Sequence, residues 1–295
     1  MNFSKLPCFE TWLRDDRERA LNFIQRLSLS ALLFSPAAVS GQWTVEIGAF
    51  YAFSDTDWST SSPNGSGSRE VDFESDLLLE EKTTLPYFNL TYVFNDRHAI
   101  YFDWRRLHRD SSLSLITEAF EITTGGQTYV AQVGADIATS LEFDIYQFNY
   151  QYRFYKADQF SSELMLGLHV IDLNLELEGE LRLETDAVNG NASVDRNIFS
   201  DLTAPLPNLG LGMEYILGPD WLLDAKAQAF YISFDEFSGF LYELGAGVSY
   251  SLLDDLSVKA SYSYFQIDLD YVSNSRDVDV NYQFHGPMLS LLYDF

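Results

Sequence analysis

The chain has 295 residues, a formal net charge of -26, one cysteine, and an aromatic content of 16% that includes 18 Tyr and 23 Phe. So acidic a balance argues against a nucleic-acid partner, which needs clustered cations facing phosphates, and a single thiol rules out an internal disulfide framework. No apolar run of about 18 residues occurs, so any membrane crossing falls to strands.

Residues 21–41 read as a secretory signal. Arg26 precedes an apolar core from Leu27 to Phe34, Pro36 interrupts it, and small Ala38 and Ser40 stand before an expected cut after Ser40 or Gly41. Residues 1–40 are therefore expected to be an N-terminal extension and signal peptide, and 41–295 the folded domain. The first 20 residues are long for such a signal, which places the expected translation start downstream of Met1. Cys8 lies ahead of the apolar core, so it is not a lipoprotein cysteine and would leave with the signal.

From Trp43 the pattern has period two. Trp43, Val45, Ile47, Ala49, Tyr51 and Phe53 alternate with Thr44, Glu46, Gly48, Phe50 and Ala52, as expected of a strand with one face on lipid and one in a lumen. Similar alternation recurs to Phe295 and gives ten strands. Short connections (Asn95 to Arg97, Lys156 to Gln159, Gly218 to Asp220, Leu253 to Asp255) alternate with long polar ones at 54–83, 109–139, 178–206 and 272–281, and with the short Asp235 to Gly239. Ile116 to Val133, broken by Gly125-Gly126, is expected to form a hairpin above the membrane. The expected fold is all-β: a transmembrane antiparallel up-and-down barrel of about ten strands, with eight or twelve as the neighbouring solutions. A secreted β-sandwich alternates too. Turn asymmetry and aromatics near strand ends (Trp43, Tyr155, Trp221, Tyr250, Tyr293) favour the barrel.

The last strand adds a specific signal. Leu289, Leu291, Tyr293 and Phe295 share one side of an extended segment. This resembles the closing strand of bacterial outer-membrane β-barrels, whose terminal Phe and preceding alternate apolar residues are the assembly signal. The resemblance implies residence in the bacterial outer membrane, the barrel-assembly machinery as a partner, contact with outer-membrane lipid and lipopolysaccharide, and periplasmic short turns.

Several strands change parity midway. Leu164, Leu166, Leu168 and Val170 share a face, and then Ile171, Leu173, Leu175 and Leu177 do; similar switches occur at Ile145 to Phe148, Tyr264-Phe265 and Gly286-Pro287. β-bulges that keep the apolar face on lipid are the expected cause, although a strand leaving the bilayer would give the same pattern. With bulges, the lower lumen receives Glu46, Asp103, Arg105, Arg153, Glu214, Lys226 and Lys259. These residues make either an ion-paired filler or a narrow, cation-preferring pore. The upper lumen then becomes an acidic mouth of Glu142, Asp144, Asp172, Glu176, Glu178, Asp268 and Asp270, joined by Asp55, Asp57, Asp72, Glu74 and Asp76 of the first long loop. Such a field would concentrate small cationic solutes or divalent cations.

Catalytic signatures are thin. His169 and His285 are expected on lumen faces, but no GxSxG, HExxH or phosphate loop occurs, and no Asp-x-His pair of the omptin-protease kind or His-x-Ser pair of the lipid A deacylase kind is found. No cofactor or metal is expected. Lys82, Arg105, Arg106 and Arg109 cluster near the expected outer rim, where they could meet lipopolysaccharide phosphates or simply snorkel. The leading functional reading is a non-catalytic structural or narrow-channel barrel. The alternatives are ligand capture or adhesion by the long loops, and a lipid-active enzyme.

Overall fold

A computed structural model describes residues 41–61, 69–116, 119–124, 127–183, 194–234, 237–272 and 277–295. The expected signal at 1–40 lies outside the described residues. Thirteen strands follow: β1 (Gln42–Ser61), β2 (Arg69–Asp72), β3 (Lys82–Asn95), β4 (His98–Leu115), β5 (Phe120–Thr124), β6 (Gln127–Ala131), β7 (Asp136–Lys156), β8 (Phe160–Leu183), β9 (Val194–Ile216), β10 (Trp221–Phe234), β11 (Phe237–Leu253), β12 (Leu256–Val272) and β13 (Asp277–Asp294).

Ten of them are the staves of a closed antiparallel barrel. Successive staves pair with one another, β8 pairs β9, and β1 pairs β13 from Thr44↔Asp294 to Ser61↔Asp277 to close the wall. At one end the staves are joined by tight turns that sequence chemistry sets. Asn95 Oδ1 accepts the Arg97 N–H at 2.9 Å, and Gly218-Pro219-Asp220 cannot continue either strand. At the other end the wall rises far. Parts of the connections expected at 54–83 and 109–139, and most of that at 178–206, are continuous stave, with β8 and β9 paired as far as Leu181↔Val194. β5 and β6 form a hairpin whose second strand adds to the tip of β8.

Aromatic rings mark two levels on the outer surface. Near the tight turns stand Trp43 against Tyr92, Tyr293 against Phe295, and Trp221 against Tyr250. Higher up, Phe53, His285, Tyr264 and Tyr242 stack face to face across β1, β13, β12 and β11. From Trp43 to Phe53, at ~3.3 Å per residue and a tilt of ~40°, the wall climbs about 25 Å, the height of an outer-membrane apolar band. Between the rings the outer face is apolar: Ile47, Leu166, Leu211, Leu244 and Leu289 are all exposed.

Ladder register runs unbroken through every expected parity switch: β7–β8 from Ile137↔Gly179 to Arg153↔Glu163, and β12–β13 throughout. The bulges expected at Ile145 to Phe148, around Val170, at Tyr264-Phe265 and at Gly286-Pro287 are absent. The shifts that do occur within the described barrel pairings lie mostly beside the tight turns, at Val93/Asn95, Arg153/Tyr155 and Ser251/Leu253. Above the upper ring, then, the two faces exchange character. Ile137, Leu141, Phe143, Ile145, Ile171, Leu175 and Leu177 point inward and are buried, while the carboxylates between them point outward. The medium outside changes from lipid to water at that height, so the apolar row belongs inside.

Gly286 permits one tight place in the wall. A Cβ there would lie 1.9 Å from the Tyr51 carbonyl oxygen.

Candidate functional site

The lumen is filled in three tiers. Near the tight turns, Arg153 meets Glu214 at 3.3 Å, Lys259 meets Asp224 at 2.9 Å, and the buried Glu46 accepts from Ser290 at 2.5 Å. Glycines on the inner face of β11 leave space for these long side chains: a Cβ at Gly247 would come within 2.7 Å of Lys259 Cε.

The middle tier closes the cross-section. Arg105 on β4 reaches across to Glu243 on β11 at 2.6 Å while its Nε lies 3.0 Å from Asp103. Lys226 joins Glu243 at 2.9 Å, and His169 lies 3.5 Å from its other oxygen. Two cations and two carboxylates thus share one buried cluster, as pairing of buried charge requires. Beside them Gln147 donates to Gln228 at 2.5 Å, Gln228 donates to the Tyr101 hydroxyl at 2.7 Å, and Asn208 donates to Asn149 at 3.1 Å.

The top tier is an apolar plug. Phe143 packs on Tyr282 and Phe265, Phe284 stacks on Phe265, and Phe50 meets Phe284 edge-on. Part of the plug comes from the excursion between β2 and β3. Both strands lie along β1, at Thr60↔Arg69 to Asp57↔Asp72 and from Phe53↔Lys82 onward, and the chain between them dips inward to bury Phe73, Leu77 and Leu79.

That excursion interrupts the ladder beside Ser54 to Thr56, and a carboxylate fills the gap. Glu74 accepts the Thr56 N–H at 2.9 Å and its hydroxyl at 3.1 Å, as a neighbouring strand's carbonyl would. The fully buried Arg109 donates to Glu74, to Thr56 Oγ1 at 2.5 Å and to the Glu80 carbonyl at 3.4 Å, with its guanidinium 5.3 Å above the Tyr282 ring. Burial pushes the Glu74 carboxyl above its ordinary range, against the pull of Arg109. Outside this break lies a cleft of about 440 Å³, lined by Phe53, Asp55, Asp72, Glu74, Gln283 and His285 among others. Ligand oxygens of Asp55, Asp72 and Glu74 lie within 4.8 Å of one another. Two of these groups are already engaged, Glu74 as described and Asp72 by the Glu74 and Ser75 N–H groups at 3.0 and 2.9 Å.

Several expected placements are corrected. Glu142, Asp144, Asp172, Glu176, Glu178, Asp268 and Asp270 do not line an upper lumen; they stand on the outer wall, because no bulge turns them inward. Arg106 and His108, also outward, pair with them: Arg106 with Glu142 at 3.5 Å and His108 with Glu142 at 3.0 Å. Of the expected basic rim, Arg105 and Arg109 are instead inside and engaged. His285 faces outward, bonded to the Tyr262 hydroxyl at 2.7 Å. Contrary to the expectation that no Asp-x-His pair occurs, the spacing is present at Asp96-Arg97-His98, but it falls at the tight-turn end, away from the long loops.

Glu46, Asp103, Arg105, Arg153, Glu214, Lys226 and Lys259 face the lumen, and Leu289, Leu291, Tyr293 and Phe295 are exposed on the outer side. Sequence reasoning gave no special place to Glu243, the hub of the middle tier. Its signal is faint: the one carboxylate on an inner face that otherwise carries Gly239, Leu241, Gly245, Gly247 and Ser249.

No protein-family model and no curated protein matches the chain. Among solved structures, the outer membrane protease OmpT of Escherichia coli matches over 89% of this chain and 99% of that one, with 12% identity and a TM-score of 0.56. This chain is an outer-membrane-type β-barrel. At that identity the likeness carries the fold and nothing of the protease's chemistry. Ail of Yersinia pestis (10% identity, 86% and 99% covered, TM-score 0.32) and the toluene transporter TodX of Pseudomonas putida (10%, 89% and 91%, 0.35) also match, at scores that add no weight.

Proposed function

We propose that this barrel resides in the bacterial outer membrane with its tight turns in the periplasm, neither conducts nor catalyses, and presents its tall acidic half to the exterior as a binding surface. The observation that carries this reading is the Arg105–Glu243 bridge across the lumen beneath an apolar plug that includes the inward excursion at 73–81. A path for hydrated ions would have to break a buried charge cluster and then wet an aromatic core, and each step is costly. The outward carboxylates above the upper ring supply the surface, a negative field on the side that solutes and partners approach. Histidines have structural work in this reading: His169 supports Glu243, and His285 belongs to the aromatic ring.

The test is conductance in a planar bilayer, using refolded protein shown by heat-modifiable gel mobility to be inserted and folded. Silence in molar KCl is expected. Discrete cation-selective openings would overturn the closed-lumen reading in favour of a narrow pore.

A further inference from the structure

The barrel wall is not continuous at every height. β9 and β10 pair over eight residues, from Leu222↔Ile216 to Ala229↔Leu209, and then part, although β10 runs on to Phe234 and β9 begins at Val194. On their other edges both strands stay paired, β9 with β8 as far as Val194 and β10 with β11 as far as Phe234↔Phe237.

Two prolines account for the parting. Continuing the β9–β10 register would set Pro207 against Tyr231 and Pro205 against Ser233. Proline has no N–H to give, yet the β8–β9 ladder passes through Pro207↔Leu168 and Pro205↔Val170 without a shift. In an antiparallel ladder alternate residues direct their N–H to opposite edges. Both ring nitrogens must therefore face β10, where they remove two successive donors and put ring atoms in their place. The main-chain N–H and C=O of Tyr231 and Ser233, on the edge that faces β9, are left without a strand partner among the described residues.

This slot opens at the level of the upper aromatic ring, where Tyr231 is exposed beside Phe240. Leu206 and Leu241 are buried behind it, with Phe230 half-buried against the same core. Carboxylates flank it on both sides: Asp172 bonds the Thr203 hydroxyl of β9 at 3.3 Å, and Asp270 bonds Ser238 of β11 at 3.2 Å. A second copy does not fit. Two barrels sharing one membrane are related by an axis along its normal, which brings β10 to β10 with sheet faces reversed, so no regular ladder forms.

We propose that the slot between β9 and β10 accepts an extended strand from another protein, added to the free edge of β10 at 230–234. The guest alternates apolar residues facing the core with basic residues facing the outer carboxylates. Main-chain bonds supply the pairing and the alternating side chains supply selectivity. The proposal deepens the exterior-surface reading above and names the partner class.

The test is hydrogen exchange of the full barrel in detergent micelles, alone and with the blocked heptapeptide Lys-Val-Lys-Val-Lys-Val-Lys. In the free protein the Tyr231 and Ser233 amides exchange fast and Ala229 slowly. The peptide is expected to slow Tyr231 and Ser233 about tenfold or more, while the same peptide N-methylated at every peptide bond does not. Equal effects of the two peptides, or no protection at millimolar peptide, would overturn strand addition and leave only adsorption to an acidic wall. The variant P205V/P207V should zip the seam, slow both amides without peptide and abolish the peptide effect. If it does not fold, S233P removes one donor N–H from the guest-facing edge of β10 and should abolish the peptide's protection of the Tyr231 amide. Conductance and exchange are read independently, so channel openings with intact protection would sink the closed lumen and spare the slot.

Discussion

Replacing Arg109 by Met tests the keystone of the loop-side half most directly. The substitution keeps most of the side-chain volume over Tyr282 but removes the guanidinium that binds Glu74, Thr56 Oγ1 and the Glu80 carbonyl. Glu74 is left in a mostly buried site, still accepting two bonds from Thr56 but with no countercharge. Breaking a buried pair from one side costs about 3–5 kcal/mol, and the Thr56 bonds place the expected loss near 3 kcal/mol at pH 8. The double variant R109M/E74Q keeps an acceptor for the Thr56 N–H and removes the stranded charge, so its loss should shrink to about 1–2 kcal/mol, the scale of neutral hydrogen bonds. The pH dependence has a definite sign. Glu74 already has a folded-state pKa above 4.5, so it binds a proton more readily folded than unfolded, and its contribution to stability rises as pH falls through the folded pKa. Without Arg109 that pKa climbs further. The R109M deficit should therefore narrow on acidification, over a window that opens at higher pH than in the parent. Guanidinium unfolding in detergent micelles, followed by tryptophan fluorescence at pH 8 and pH 5.5, measures all of this. A deficit that is the same at both pH values and unrelieved by E74Q would refute the stranded-charge argument.

Other expectations are simpler. Single cysteines at Glu178 and Leu177 should behave oppositely toward a bulky maleimide, with E178C labelled in the folded barrel and L177C protected; the reverse pattern would restore the expected bulge on β8. G286A should destabilise by about 1–3 kcal/mol, because the Cβ can be accommodated only by moving the Tyr51 backbone, and a heat-modifiability midpoint unchanged from the parent would show that the wall yields there freely. Charge removal at the outward Asp172 should change stability by less than ~0.5 kcal/mol in the same assay, as for an exposed site.

The parts of this architecture legible in the sequence are those that lipid dictates. Between the aromatic rings only one reading of the alternation is tolerable, so Ile47, Leu166, Leu211 and Leu289 announce their face, and the tight turns count the staves. Above the rings the same alternation means the opposite. The run Leu164 to Leu177 contains two apolar rows of opposite parity, and either a bulge or a change of solvent produces it. What decides is the height of each residue relative to the membrane, a property of the assembled wall and not of a single strand. The level is set by rings from different strands, such as His285 against Tyr264 and Phe53. The Arg109–Glu74 contact is not legible in the sequence for a related reason. It depends on a loop that leaves the wall and returns, and nothing local to Glu74 marks it as the replacement for a missing strand.

The apolar plug has a consequence for the order of folding. Phe50 and Ala52 on the first stave and Tyr282 and Phe284 on the last bury into the same core, so that core is complete only once the two ends of the chain have met. A half-built sheet has nothing to pack against in its upper half and exposes those aromatic rows to water. Contacts of such long sequence separation form late and slowly. Ring closure and core formation should thus be a single kinetic event, with the nascent barrel dependent on a chaperoning surface until its first and last strands join.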